Sequence, residues 1–129
     1  MKKLQTVTLG CSKNKVDTEH ILSQVEDLYE IIPEGEDIPV HTILLNTCGF
    51  IGDAKEESIQ AVLEAVERKR NGEAEKVIVF GCLSQRYMSE LPAFIPEVDA
   101  WFGAREFDPV IRALGVEPDR SKDAERYLT

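Results

Sequence analysis

The sequence has no apolar run that approaches the roughly 20 residues a membrane-spanning helix needs. Its amino terminus lacks the apolar core of a signal peptide and leads directly into a predicted strand. Cysteine is also scarce, because the chain has only three, and a small odd number disfavours a framework of structural disulfides. These absences predict a cytoplasmic protein without a membrane anchor, whose cysteines serve a metal site, redox chemistry or ordinary core packing.

Basic residues are outnumbered by acidic ones. The 129 residues include 15 lysines and arginines against 24 acids, for a net charge of −9. A nucleic-acid clamp needs clustered lysine and arginine to contact phosphates, so nucleic-acid binding by this chain is not expected. An acidic surface suits a basic partner, although it more often serves only solubility. The length and a hydrophobic content of 43% suit one globular domain.

The hydrophobic pattern alternates between strands and helices. Strands are predicted at residues 4–9, 29–32, 41–45, 76–80 and 98–102, and helices at residues 14–28, 53–70, 84–91 and 108–114. Such alternation predicts an α/β three-layer sandwich, with a five-stranded, mainly parallel sheet between two layers of helices. A flavodoxin/Rossmann-like strand order of 2-1-3-4-5 would make the first, third and fourth strands direct neighbours.

Apolar spacing within the helices predicts their buried faces. The first helix should bury Ile21, Val25 and Leu28, which recur at helical intervals. The second helix should bury a face formed by three residues, Ile59, Val62 and Val66. We further expect Pro92 to stop the third helix and Asp108 to cap the last one.

Each cysteine stands just past the end of a predicted strand and before a helix. Cys11 follows the first strand, Cys48 the third and Cys82 the fourth. The carboxyl ends of parallel strands share one sheet edge, which is where such folds place their sites, and neighbouring strands lie about 4.8 Å apart. The placement therefore suggests a shared ligand for the three thiols, with a metal centre as the leading candidate.

Several other roles for these cysteines are open. They could be buried thiols of the core, or one of them could be a nucleophile activated at a helix N-terminus. A zinc site normally has four ligands, and neither His20 nor His41 has a ligand-like spacing to a cysteine. In a different class, residues 10–14 could cradle a phosphate in a flavodoxin-like binding module, although the loop lacks a recognised phosphate fingerprint.

An iron–sulfur cluster held by three cysteines would account for all three. Cubane clusters usually take four thiolates, so three would leave one iron open to another ligand. Glycines stand beside the thiols, at Gly10, Gly49 and Gly81, and would let backbone amides approach the cluster sulfurs.

Three stretches around the cysteines carry a specific resemblance. They are Leu-Gly-Cys-Ser-Lys-Asn at residues 9–14, Asn-Thr-Cys-Gly-Phe-Ile at residues 46–51, and Phe-Gly-Cys-Leu-Ser-Gln-Arg at residues 80–86. Together, over residues 4–114, they resemble the N-terminal domain of the radical methylthiotransferases. The resemblance implies that Cys11, Cys48 and Cys82 hold an auxiliary 4Fe–4S cluster that handles the sulfur added to the substrate. It also implies a central radical domain whose own cluster cleaves S-adenosylmethionine.

Within that family, residues 11–14, 48–51 and 83–87 resemble the branch that methylthiolates an aspartate of the twelfth small-subunit ribosomal protein. The branch that modifies a tRNA adenosine typically has Ile-Arg-Glu after the second cysteine, and it stays open as the alternative. The chain has no Cys-x-x-x-Cys-x-x-Cys motif for a radical cluster. We therefore expect residues 1–115 to form the auxiliary-cluster domain, residues 116–129 to be a linker toward an absent radical domain, and the chain alone to be inactive.

Other residues are placed near the site by the same motifs. Five of them are polar and could equally satisfy turn backbone or cap helices: Asn14, Asp17, Asn46, Thr47 and Ser84. Lys13 and Lys15 could face the substrate or the radical domain, and Arg86 could pair with the cluster charge, although solvated surface positions are the commoner case.

Overall fold

The computed structural model of the chain describes residues 1–10, 12–48 and 52–119. Strands and helices alternate as the sequence predicts. In chain order they are β1 (Lys2–Thr8), α1 (Ser12–Val25), β2 (Tyr29–Ile32), β3 (Val40–Thr47), α2 (Gly52–Arg70), β4 (Ala74–Gly81), α3 (Cys82–Arg86), α4 (Leu91–Phe94), β5 (Ala100–Trp101) and α5 (Phe107–Ala113).

The five strands form one sheet in the order β2-β1-β3-β4-β5, and every neighbouring pair is parallel. The predicted order is confirmed, and the sheet is wholly rather than mainly parallel. β3 and β4 are the central, almost continuously buried strands, as expected where helices cover both faces of a parallel sheet. The strands that precede the three cysteines are consequently direct neighbours.

Alternate residues of the central strands supply two separate cores. On one face, Leu44, Ile78 and Phe80 pack with residues of α1 and α5. On the other face, Leu45 and Val79 pack with residues of α2. Because successive strand side chains point to opposite faces, each strand serves both cores. The predicted three-layer sandwich is confirmed.

Helix α2 shows the expected buried face. Val62 and Val66 are only 1% and 2% exposed, while Ile59 is half-buried at the edge of the stripe. Leu63, which helical spacing places beside this face, is 45% exposed.

Three details of the helices differ from the prediction. Leu28 is 46% exposed rather than buried, because α1 already ends at Val25 and the amide of Leu28 closes a turn on the Val25 carbonyl. Residues 84–91 do not form one helix, because α3 ends at Arg86 and α4 begins at Leu91. Pro92 does not stop a helix but occupies the first turn of α4, where its missing N–H costs nothing.

The last strand and helix also need correction. Asp108 is not the cap of α5, because Glu106 occupies that position and Asp108 lies inside the first turn, where a negative charge still complements the helix dipole. β5 is limited to Ala100–Trp101. Just before it, a carboxylate oxygen of Asp99 accepts a hydrogen bond from the amide of Val77 at 2.8 Å, so a side chain occupies that β4 donor.

The beginning of the predicted linker is attached to the domain. The side chain of Gln24 exchanges two hydrogen bonds with the backbone of Asp119, at 2.8 and 2.7 Å, and so holds residue 119 against α1. The remaining residues, 120–129, lie outside the described residues. Among the helices that the structure describes, none combines the length and apolar character needed to cross a membrane.

Candidate metal centre

The carboxyl ends of β3 and β4 bring two of the predicted ligands to the same sheet edge. Thr47 is paired with Gly81 in the parallel register, and the next residues along the two strands are Cys48 and Cys82. Cys82 is also the first residue of α3. Both cysteines are half-buried, as thiols that can meet a ligand from solvent must be. The prediction that these two cysteines share an edge is confirmed.

The third predicted ligand, Cys11, lies outside the described residues, as do Gly49, Phe50 and Ile51. Its neighbour in the chain is placed, because Gly10 ends the segment that follows β1. A Cβ built on Gly10 would lie 3.2 Å from the Sγ of Cys48 and 3.0 Å from its Cβ. The backbone that enters Cys11 therefore passes directly against the Cys48 side chain, and a larger residue at position 10 would press against that thiol.

Gly81 brings the ends of β3 and β4 into similarly close contact. Its φ is 113°, in the region that favours glycine, and an added Cβ would lie 2.5 Å from the carbonyl oxygen of Thr47 and 2.7 Å from its nitrogen. These atoms are backbone and cannot move aside as a flexible side chain would. Position 81 therefore requires glycine. Without a Cβ there, the end of β4 lies against the end of β3, and Cys82 follows beside it.

The backbone of Cys48 is held by Ser58, a fully buried residue of α2. The Cys48 amide donates to the Ser58 hydroxyl oxygen at 2.9 Å, and that hydroxyl donates back to the Cys48 carbonyl at 2.9 Å. The sequence analysis gave Ser58 no role. One feature of the sequence could have identified it. Ser58 lies four residues before Val62, on the buried face of α2, where the other positions are apolar.

A chain of buried polar side chains ties β1, β3 and α1 together beneath the edge. The side-chain nitrogen of Asn46 donates to the Asn14 carbonyl at 2.9 Å and to the Thr18 hydroxyl at 3.2 Å. The Thr18 hydroxyl also shares a hydrogen bond of 2.9 Å with the Thr8 hydroxyl. Asn14 also donates to the Leu9 carbonyl at 2.5 Å. These contacts support the backbone role predicted for Asn14 and Asn46, because they fix the start of α1 against the ends of β1 and β3.

The other predicted polar residues differ in their contacts. Thr47 donates to the Phe80 carbonyl at 2.8 Å, which links the ends of β3 and β4. Ser84 is fully buried, and its hydroxyl has no hydrogen-bond partner among the described residues. Asp17 is half-buried, and burial raises the pKa of its carboxyl despite opposing attraction from Lys13, His20 and Arg105.

Three predicted basic residues, Lys13, Lys15 and Arg86, are exposed. Arg86 lies 5.8 Å from the centre of the Tyr87 ring, and Lys55 lies over the same ring at 4.4 Å. A hydrogen bond with Lys55 lowers the pKa of the Tyr87 hydroxyl. Lys55 belongs to the beginning of α2 and Tyr87 directly follows α3, so this cationic group stands beside the cysteine edge.

Both histidines make contacts within the fold. His41 lies near the start of β3, at the sheet edge opposite the cysteines, where its Nδ1 is 2.7 Å from the Thr42 hydroxyl. His20 is 7% exposed and packs edge-on against Phe107, with ring centres 5.4 Å apart. Within residues 1–10, 12–48 and 52–119, no three histidine, cysteine or acidic side chains are grouped as metal ligands, and one of the three predicted ligands lies outside that part.

The described residues supply two thiols that could share one ligand, because Cys48 and Cys82 leave neighbouring strands side by side. Gly10, the residue before the third predicted ligand, lies so close that an added Cβ would be 3.2 Å from the thiol of Cys48. The glycines at positions 10 and 81 leave open the space that side chains would fill. Sulfur is also the donor expected for a soft metal centre.

Comparison with known proteins identifies the relatives of this chain. Residues 3–103 match the family described as "Uncharacterized protein family UPF0004". The ribosomal protein uS12 methylthiotransferase RimO of Bacteroides thetaiotaomicron is 43% identical over 129 residues, which cover 99% of this chain and 30% of the relative. The protein of the same name from Chloroherpeton thalassium is 49% identical over 121 residues, covering 88% of this chain and 26% of the relative.

These similarities agree with the resemblance to the radical methylthiotransferases that the three cysteine motifs indicate. The name of the relatives corresponds to the branch that modifies a ribosomal protein. The chain spans about 30% of the length of the relatives it matches. The family match covers more than three quarters of the chain and includes all three cysteines. The chain belongs to the UPF0004 family and is similar over nearly its whole length to RimO methylthiotransferases.

Proposed function

We propose that this chain is the auxiliary-cluster domain of a RimO-like methylthiotransferase, with Cys11, Cys48 and Cys82 as the three ligands of a 4Fe–4S cluster. The observation that carries the proposal is the pairing of Thr47 with Gly81, because it sets Cys48 beside Cys82. The contact between Gly10 and the Cys48 thiol adds support for the third ligand. When bound, the cluster supplies an iron with an open position at which sulfur can be carried.

The chain's own residues prepare the site before any metal binds. Ser58 of α2 holds the backbone of Cys48 through two hydrogen bonds and so fixes the position from which that thiol extends. Asn46 and Asn14 fix the beginning of α1 immediately after Cys11. The glycines at positions 10 and 81 let the backbone pass close to the ends of the neighbouring strands. Ligands held in this way lose little conformational entropy when they bind.

The activity of the whole protein is the transfer of a methylthio group to an aspartate of ribosomal protein uS12. This assignment is supported by the names of the relatives. A radical domain with a second cluster and S-adenosylmethionine would belong to the longer protein, so residues 1–129 alone should be inactive. The partners are then the radical domain and a ribosomal protein, and the compartment is the cytoplasm. The net charge of −9 suits a basic protein substrate and disfavours nucleic-acid binding by this domain.

Iron content tests the ligand set. The chain is reconstituted anaerobically with iron and sulfide, and iron and sulfide per chain are measured for the wild type and for Cys11→Ala, Cys48→Ala and Cys82→Ala. We expect about four irons in the wild type and loss of most iron in each variant. Ser12→Ala, an exposed neighbour of Cys11, should keep the wild-type content. Undiminished iron in any cysteine variant would remove that residue from the site and favour the phosphate-binding alternative.

A further inference from the structure

A second feature opens at the same sheet edge as the cysteines. It is a cleft of about 380 Å³, lined by Lys13, Asp17, Ala104, Arg105 and Phe107. Lys13 belongs to the first turn of α1, two residues after Cys11, and Arg105 lies between β5 and α5. The carboxyl ends of parallel strands share one edge, so the loop after β5 lies at the end of the sheet that carries the cysteines. The cleft therefore adjoins the candidate metal centre.

The charges in this cleft are unusual for so acidic a chain. Lys13 and Arg105 are both exposed, and neither forms an ion pair with any residue that the structure describes. Among the residues that the structure describes, Asp17 is the one acid lining the cleft, and it is half-buried. Two cations therefore face one carboxylate within a chain of net charge −9. Such a cleft repels a metal cation and has the charge to accept one further carboxylate.

The floor of the cleft is apolar and fixed in place. The ring of Phe107 packs edge-on against His20 at 5.4 Å and against Phe80 at 6.4 Å between ring centres. His20 and Phe80 are 7% and 1% exposed, so this floor belongs to the core. A ligand with a methylene group beside its carboxylate could place the methylene against the ring and the charge between the two cations.

We propose that this cleft binds the side-chain carboxylate of the aspartate that the methylthiotransferase modifies, with Lys13 and Arg105 as its cationic partners. The proposal rests on the proposed function, because that function supplies the aspartate. It adds a substrate-binding role for two residues of the auxiliary-cluster domain. Arg105 can offer a planar, bidentate fork and Lys13 a point charge, so an ionised carboxylate should be favoured over a neutral amide of the same shape.

The test compares two peptides of ribosomal protein uS12 that differ only at the modified position, with aspartate in one and asparagine in the other. Both are amidated at the C-terminus, so the side chain is the only difference in charge. They are titrated into the isotope-labelled 129-residue chain, and dissociation constants are read from chemical-shift changes. We expect the aspartate peptide to bind about 5- to 20-fold more tightly. Lys13→Gln and Arg105→Gln should each weaken binding of the aspartate peptide, so that its dissociation constant approaches that of the asparagine peptide.

Lys15→Gln is the matched control, because Lys15 is an exposed lysine of the same helix that does not line the cleft. It should leave the preference for aspartate unchanged. Equal affinity of the two peptides, or no binding of either up to about 5 mM, overturns the proposal. The proposal is also overturned if Lys13→Gln and Arg105→Gln weaken binding of both peptides by the same factor, because that result indicates general charge attraction. Iron content of the same samples after reconstitution reports separately on the proposed function.

Discussion

At the scale of single residues, Gly81 has less room for a side chain than Gly10, the other described glycine of the candidate metal centre. We expect Gly81→Ala to lower the free energy of unfolding by roughly 3–5 kcal/mol, because a Cβ would meet the Thr47 carbonyl oxygen at 2.5 Å and the φ of 113° is unfavourable for alanine. Urea unfolding of the metal-free chain measures this change. The same variant should also bind less iron, since Cys82 follows directly.

Gly35→Ala separates the two causes. Gly35 has a similar φ of 92°, but nothing lies within 4 Å of the position that a Cβ would take. That variant should cost only about 1–2 kcal/mol, the price of the backbone conformation alone. A Gly81→Ala variant no less stable than Gly35→Ala would show that β3 and β4 are not in close contact at Thr47.

Ser58 is the residue through which α2 positions a cysteine. We expect Ser58→Ala to cost roughly 1–3 kcal/mol in unfolding free energy, because it removes both hydrogen bonds that the hydroxyl makes to the Cys48 backbone. Thermal or urea unfolding measures the loss. Ser89→Ala, an exposed serine, should change stability by no more than about 0.5 kcal/mol. Equal stability of the two variants would mean that the hydrogen bonds between Ser58 and the Cys48 backbone contribute nothing to the free energy of unfolding.

At the residue scale, the sequence predicts the sheet edge at which the cysteines lie, but not the contacts that hold their backbone there. The strand-then-cysteine pattern was enough to place Cys48 and Cys82 at one edge. The clamp by Ser58 joins residues ten positions apart across a strand–helix connection, and the contact of Gly10 with Cys48 joins two different strands. Contacts of this kind depend on the register between β1, β3 and α2. Propensity and periodicity describe one element at a time and therefore cannot supply them.

At the scale of elements, α2 offers a direct test of which face is buried. Val62→Ala should lower the free energy of unfolding by roughly 1–3 kcal/mol, because Val62 is 1% exposed and its removal leaves a small cavity in the core. Leu63→Ala removes more carbon atoms from a side chain that is 45% exposed, and it should cost about 1 kcal/mol or less. Chemical unfolding of both variants checks the order, and a larger loss at Leu63 would contradict the assigned face.

The long elements were predictable from the sequence and the short ones were not. β3, β4 and α2 have strong apolar patterns that local sequence reveals, and the strand order followed from the alternation of strands and helices. The separate α3 and α4 have only five and four residues, too few for a helical period to show. Leu28 has helical spacing from Val25 but lies in the turn beyond α1, where spacing no longer reports burial.

At the scale of the whole molecule, the two cores and the candidate metal centre are separate. The cores lie on the two faces of the sheet and are built from aliphatic and aromatic residues of the strands and long helices. Cys48 and Cys82 lie directly after β3 and β4 and belong to neither core. Folding should therefore not depend on metal, in contrast to small domains whose core is too small without it.

This separation predicts the behaviour of the chain with and without its cluster. The metal-free wild type should unfold cooperatively, and metal-free Cys48→Ala should lie within about 1 kcal/mol of it, because Cys48 is half-buried and alanine keeps both backbone bonds to Ser58. A ligand that binds only the folded state raises stability by mass action, so reconstitution should raise the melting temperature of the wild type. The same treatment should leave Cys48→Ala nearly unchanged. Anaerobic calorimetry of the four samples measures both effects, and a metal-free wild type without a cooperative transition would show that the cluster is needed for the fold itself.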